Sequence, residues 1–289
     1  MEAQGSGDSP ASGLAAGKLD RIPVATLREM TDATKAIGFP GLAWRAPVVK
    51  VAFNGGDTRL YPLVEAAASE WTSQGGRLSF SFRGPSGAYR TWRENDTAPA
   101  ADVRISFFTD KERGGYWSSV GVLARRLPAA QPTMNLGDLG TTLSRYYGGA
   151  NAAEWGGSYA HSVILHEFGH ALGLNHEHFH PQCQADLKMQ QVLDYLTGPE
   201  IGWKLEQAKF NMEAANYFSE MSDQTNSMPV SMPPNIDRAS VMLYSFPDDD
   251  FKSGSRSPCR PSGASGYATV LSSGDRAYFK RNYPATPRR

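Results

Sequence analysis

The chain has 289 residues, and 29 Lys plus Arg balance 29 Asp plus Glu, so its formal net charge is zero. A neutral chain has no general attraction to nucleic acid or to an anionic membrane. With 40% hydrophobic residues it can build a packed core, which excludes wholesale disorder.

Residues 1–18 are rich in Gly, Ser and Ala and are expected to be mobile. They lack the apolar stretch of an intact secretory signal. Leu19, Ile22, Leu27 and Met30 stand at mixed helical spacing, and Gly38-Phe39-Pro40-Gly41 ends that short helix. Residues 48–53 read as a strand closed by Asn54-Gly55-Gly56-Asp57. Leu60, Leu63, Val64, Ala67, Ala68 and Trp71 mark one face of a helix that Gln74-Gly75-Gly76 stops. Leu78, Phe80 and Phe82 alternate as a strand, as do Val103, Ile105 and Phe107. Residues 117–124 read as a further extended run, and 131–136 as a fifth, short strand. A helix between strands, followed by hairpin-like spacing, predicts a mixed sheet.

The Gly-rich stretch 137–157 leads into a predicted helix over 158–172, ended by Gly173. Helical patterns follow near 184–196 and 200–218, then a Met-, Pro- and Ser-rich loop at 221–235. The short apolar run Val241-Met242-Leu243-Tyr244 precedes a Pro/Gly/Ser-rich loop at 247–268, and a last helix opens at Ser272 or Ser273 with Asp275 in its first turn. Two cysteines, Cys183 and Cys259, exclude a disulfide-dense scaffold and a four-cysteine zinc ribbon. They read either as one bridge across a long loop or as two unrelated thiols. No apolar run approaches the roughly 20 residues of a membrane span.

All six histidines lie between His161 and His180. His166-Glu167-Phe168-Gly169-His170 is an H-E-x-x-H motif. Histidines four apart on a helix differ by about 40° in direction and by about 6 Å in height, so both imidazoles reach one ion. Glu167 stands beside the first ligand, close enough to act on a water at that ion. On a continued helix His176 would point about 240° away from His170, but Gly173 can turn the chain and bring it back. The five fixed positions of H-E-x-x-H-x-x-G-x-x-H arise by chance in such a chain with probability on the order of 10⁻⁴. Three neutral imidazoles and an open position suit zinc. His161 lies about 140° around the helix from His166 and reads as an early-helix or surface residue. His178 and His180 read as loop or supporting residues.

The extended motif, followed by Ser240-Val241-Met242-Leu243-Tyr244, resembles the metzincin zinc endopeptidases, whose signature includes a methionine turn under the metal. His176-Glu177-His178 and the tyrosine after the methionine look most like the astacin branch. Residues 101–107 resemble the third sheet strand of matrixin- and astacin-like domains, and 271–275 the start of their C-terminal helix. Leu243 stands where astacins usually have histidine, the chain has two cysteines where typical astacins have four, and their Arg-rich segment is absent. It therefore looks like a microbial astacin-like or matrixin-like relative.

The resemblance implies an α/β (α+β) metzincin-like fold, with a twisted mixed five-stranded sheet, a backing helix, a zinc helix and a mainly helical or irregular C-terminal subdomain. It divides the chain into a tail or pro-segment (1–41), an N-terminal catalytic subdomain (42–175) and a C-terminal subdomain with the methionine turn (176–289). It implies zinc ligands His166, His170 and His176, a general base Glu167, an oxyanion-stabilising Tyr244 and an apolar Met242 below the ligands. It also implies one catalytic Zn2+, a secreted protein, a structural role for Glu177, and a protein or peptide substrate laid along the sheet edge at 115–124. Asp248-Asp249-Asp250 reads as a solvated acidic loop, with calcium binding or a preference for basic side chains as alternatives. A non-proteolytic zinc amide hydrolase, a binding module on the same scaffold and a latent zymogen remain open.

Overall fold

The computed structural model describes residues 36–110, 113–137, 139, 152–225, 230–263 and 266–286. The helix expected from residue 19 and most of the expected tail lie outside the described residues. The last residues of that tail belong to the fold: Ala36, Ile37 and Phe39 are buried, and Gly38 pairs with both Leu174 and Ser231.

Strand β1 (Val48–Asn54) leads into helix α1 (Leu60–Thr72), followed by β2 (Ser79–Ser81), β3 (Val103–Ser106), β4 (Tyr116–Ser118) and β5 (Met134–Leu136). The sheet order is β2-β1-β3-β5-β4, with β4 at one edge and antiparallel to β5, and the other pairs parallel. This is the expected mixed five-stranded sheet. Pairing of Val51 with Val103 and Phe53 with Ile105 aligns apolar residues across the two central strands. Val49, Val51 and Phe53 join the main core, while Ala52, of opposite parity, packs with Trp92 on the other face.

The extended run read at 117–124 is shorter than expected. Strand β4 ends at Ser118, and Gly121–Arg126 forms a 3-10 turn. Gly121 has φ +52°, and a Cβ there would collide with the Leu42 carbonyl, so close packing against the turn Pro40–Leu42 takes the chain out of the sheet. The start of β4 is set by the buried amide of Asn135. It accepts from Ser106 Oγ (2.7 Å) and Phe108 N (2.8 Å), and donates to the carbonyls of Phe108 (3.0 Å) and Gly115 (2.6 Å). All four hydrogen-bonding positions of that amide are filled.

Helix α2 (Tyr159–Ala171) opens on Ser158, whose side chain accepts from His161 N. It packs on α1, where Trp71 Nε1 donates to the Leu165 carbonyl at 2.9 Å. The C-terminal part is more divided than the three predicted helices. It contains α3 (Pro181–Asp186), α4 (Met189–Thr197), α5 (Leu205–Met212), α6 (Ala214–Thr225) and α7 (Ser273–Asn282). The first break falls where Leu187 bridges to Phe251 and Lys188 N donates to the Asp250 carbonyl, a pairing 60-odd residues away in sequence. The second falls at Glu213, whose backbone is extended. Helix α6 runs into the stretch read as loop, because Tyr217, Phe218 and Met221 close a second core with Phe39, Phe179 and Phe210. Cys183 on α3 and Cys259 form a disulfide, which settles the choice between a bridge and free thiols.

Asp275 is buried at the first turn of α7, inside a capping box with Ser272. It also accepts from Ser240 Oγ (2.7 Å) and Val241 N (3.1 Å), which fastens the loop carrying Met242 to the helix. Asp275→Ala strands three buried donors and is expected to cost about 3 kcal/mol, read as a lower urea midpoint. An unchanged midpoint would refute this role.

Candidate metal centre

His166, Glu167 and His170 lie on α2. The helix ends at a turn in which Gly173 N donates to the His170 carbonyl (2.8 Å) and Leu174 N to the Gly169 carbonyl (3.0 Å). Gly173 adopts φ +97°, as the motif spacing required, and the turn returns His176 to the same place. Nε2 of His170 lies 3.1 Å from Nε2 of His166 and 3.0 Å from Nε2 of His176. Among the described residues these three form the one group of three or more His, Cys, Asp or Glu donors that could share an ion, all within 4.8 Å of one another.

The other ring nitrogens decide what these contacts are. His166 Nδ1 lies 2.8 Å from the Val241 carbonyl, and His170 Nδ1 2.9 Å from the Leu174 carbonyl. A carbonyl only accepts, so each Nδ1 carries the proton and each neutral ring presents a bare Nε2. Two bare nitrogens 3.1 Å apart repel unless a cation sits between them. Nitrogens held at ~2.0–2.1 Å by a tetrahedral zinc stand about 3.3 Å apart, so the donor set fits that ion. His166 is partly exposed, while His170 and His176 are buried.

Burial pushes the His166 imidazole down to about 4 and His178 to about 3, and holds His170 and His176 well below the ordinary range. In the unfolded chain these rings titrate near 6.5. Between those values the unfolded state binds more protons, so the metal-free fold loses stability as pH falls from about 6.5 toward 4. Glu177 acts oppositely. Burial raises it to about 8, so its contribution is lost as pH rises from about 4.5 to 8. Four histidines outweigh one carboxyl below pH 6.5, with His166 alone worth about 3 kcal/mol. Urea denaturation of the metal-free protein at pH 7 and pH 4.5 checks this, and equal stabilities would contradict it.

Met242 is fully buried. Its place depends on Gly169 inside the motif, where any Cβ would collide with the Met242 sulfur. The Met242 carbonyl accepts from Glu177 N at 3.0 Å. The Tyr244 ring is 4.4 Å from the His176 ring and 5.6 Å from that of His166. Glu167 is 4% exposed.

His161 stands in the first turn of α2, the early-helix place read for it, and is buried. Its Nε2 lies 2.6 Å from Glu70 Oε1 on α1, and its Nδ1 3.2 Å from the Gly156 carbonyl. Glu177 is buried and accepts from Ile37 N (2.9 Å) and Asp237 N (3.3 Å). The acidic loop is a 3-10 turn, Asp248–Asp250, with Asp250 buried and paired to Gln191. His178, read as a loop or supporting residue, is fully buried, with its Nε2 2.9 Å from the Asn211 carbonyl.

No protein-family model matches the chain, and no curated protein matches it by sequence. Among solved structures, myroilysin superposes with a TM-score of 0.60 at 22% identity, over 87% of this chain and 100% of that one. A crystal structure of myroilysin gives 0.50 at 21% identity, over 96% of each chain. High choriolytic enzyme 1, a hatching enzyme zinc-protease from the medaka fish Oryzias latipes, superposes more loosely, at 0.41 and 15% identity over 81% of this chain and 87% of that one. The chain shares the fold of myroilysin.

Proposed function

We propose that the chain is a zinc-dependent endopeptidase, with His166, His170 and His176 as metal ligands and Glu167 as general base. The observation that carries this reading is the convergence of three Nε2 atoms, two of them on rings whose Nδ1 protons are committed to carbonyls. When bound, zinc supplies Lewis acidity that polarises a carbonyl and makes water a better nucleophile at neutral pH. The substrate is a protein or peptide in extended form, added as a strand against the β4 edge. Glu167 takes the proton that the attacking water gives up and delivers it to the leaving amine nitrogen as the C–N bond breaks. Tyr244 donates its hydroxyl hydrogen bond to the carbonyl oxygen as negative charge builds there. Met242 acts by packing and not as a ligand. The halves 42–175 and 176–289 form the two walls of the cleft, residues 1–41 are an N-terminal tail or a pro-segment, and the protein works outside the cell.

The test is incubation with an unstructured protein and a diverse peptide library, with metal content measured in parallel. Cleavage that stops with chelator and returns with zinc is the expected result. A folded wild type that binds no transition metal would remove the reading. Zinc binding with hydrolysis of small amides alone would replace it with an amide hydrolase.

A further inference from the structure

His178 is completely buried, yet it is not one of the three convergent histidines. Its Nε2 lies 2.9 Å from the Asn211 carbonyl near the end of α5, and its Nδ1 has no hydrogen-bond partner among the described residues. A single hydrogen bond, with Nε2–H donating, therefore sets the tautomer and the plane of the ring. That plane packs 5.0 Å from the His176 ring at 20° and 4.7 Å from the Tyr244 ring at 32°. Gln184 grips the same point through the main chain. It donates to the carbonyls of His178 (2.8 Å) and Met212 (3.0 Å) and accepts from Ala214 N (3.0 Å), so the junction of α5 and α6 holds His178 from two sides.

A purely structural residue here would be phenylalanine. The surroundings are aromatic, with Phe179 and Phe246 at 4.6 and 5.7 Å, and a buried ring nitrogen without a partner costs folding free energy. What histidine adds is an N–H that stops the ring from turning. We infer that His178 is a positioning residue, clamped by the Asn211 carbonyl, that holds the His176 imidazole in its ligating orientation and sets the resting place of the Tyr244 phenol. This rests on the zinc endopeptidase reading. It deepens that reading by making α5 and α6 part of the support of the metal centre.

His178→Phe keeps the stacking surface and removes the N–H, and His178→Ala removes both. Zinc affinity is measured by competition with a chromophoric chelator, kcat and KM on a peptide substrate, and folding by thermal denaturation of the metal-free protein. His178→Phe is expected to stay folded and to bind zinc about 10–100-fold more weakly, as for loss of a group that orients a ligand. It is also expected to lower kcat by roughly tenfold at saturating zinc with little change in KM, and to lower it no further in a Tyr244→Phe background, because both changes remove one coupled unit. Wild-type zinc affinity and kcat in His178→Phe would overturn the inference, as would a full tenfold loss persisting in the Tyr244→Phe background. If His178→Ala does not fold, His178→Phe alone decides. A wild type that binds zinc but cleaves no peptide removes the endopeptidase reading, and the zinc-affinity comparison then decides the role of His178.

Discussion

Glu167→Ala is expected to keep its metal and to lower kcat by about 10²–10⁴-fold, the usual contribution of a positioned acid–base group. Glu167 is adjacent to His166 on α2, but it is not among the convergent donors, so its loss leaves the three Nε2 atoms and their carbonyl anchors in place. Its 4% exposure also sets it apart from an ordinary helix-surface glutamate. Glu167→Gln serves as the closer control, since it keeps volume and hydrogen-bonding capacity while removing the base. Zinc content by elemental analysis and kcat on a peptide substrate give the two readings. A variant that retains zinc and cleaves as well as wild type would rule out the mechanism.

Loss of the disulfide is expected to have the largest effect on stability. Cys183 and Cys259 are both fully buried and close a loop across a sequence separation of 76. Loop-closure entropy for that length is worth about 4–5 kcal/mol at 25 °C in the chain-entropy model. For a protein of this size it corresponds to a fall in Tm of roughly 10–15 °C. Within the bridged loop lie α4, α5, α6 and the turn carrying Met242 and Tyr244, so the bridge limits how far these can separate from one another in the unfolded chain. Scanning calorimetry of the Cys183→Ser/Cys259→Ser double variant against wild type measures the difference. Equal Tm values would show that the bridge adds nothing to stability. Because both sulfurs are buried, the native protein should resist mild reductant until it begins to unfold.

The parts legible in the sequence are those whose causes are local. The apolar stripe of α1, the opening of the last helix at Ser272, the turn at Gly173 and the histidine spacing all act within a few residues, and each stands where its pattern put it. The parts that escaped depend on distant partners. Strand β4 stops because Gly121 packs on the Leu42 carbonyl, and the helix read at 184–196 breaks because Leu187 pairs with Phe251. The helical wheel put His161 early in the helix but is silent about its partner Glu70 on another helix. Gly169 is one of the two free positions of H-E-x-x-H, yet the methionine sulfur beneath it leaves room for no side chain.

The anchoring of His166 has a consequence for biosynthesis. Its Nδ1 is held by a carbonyl 75 residues further along the chain. On the ribosome the motif-bearing helix is complete while Val241 is still untranslated, and His166 at that stage has no partner to fix its tautomer. Tight capture of a metal ion must therefore wait for the C-terminal third to be made and docked. A nascent chain released early would carry the whole histidine motif without the carbonyl that sets the His166 tautomer.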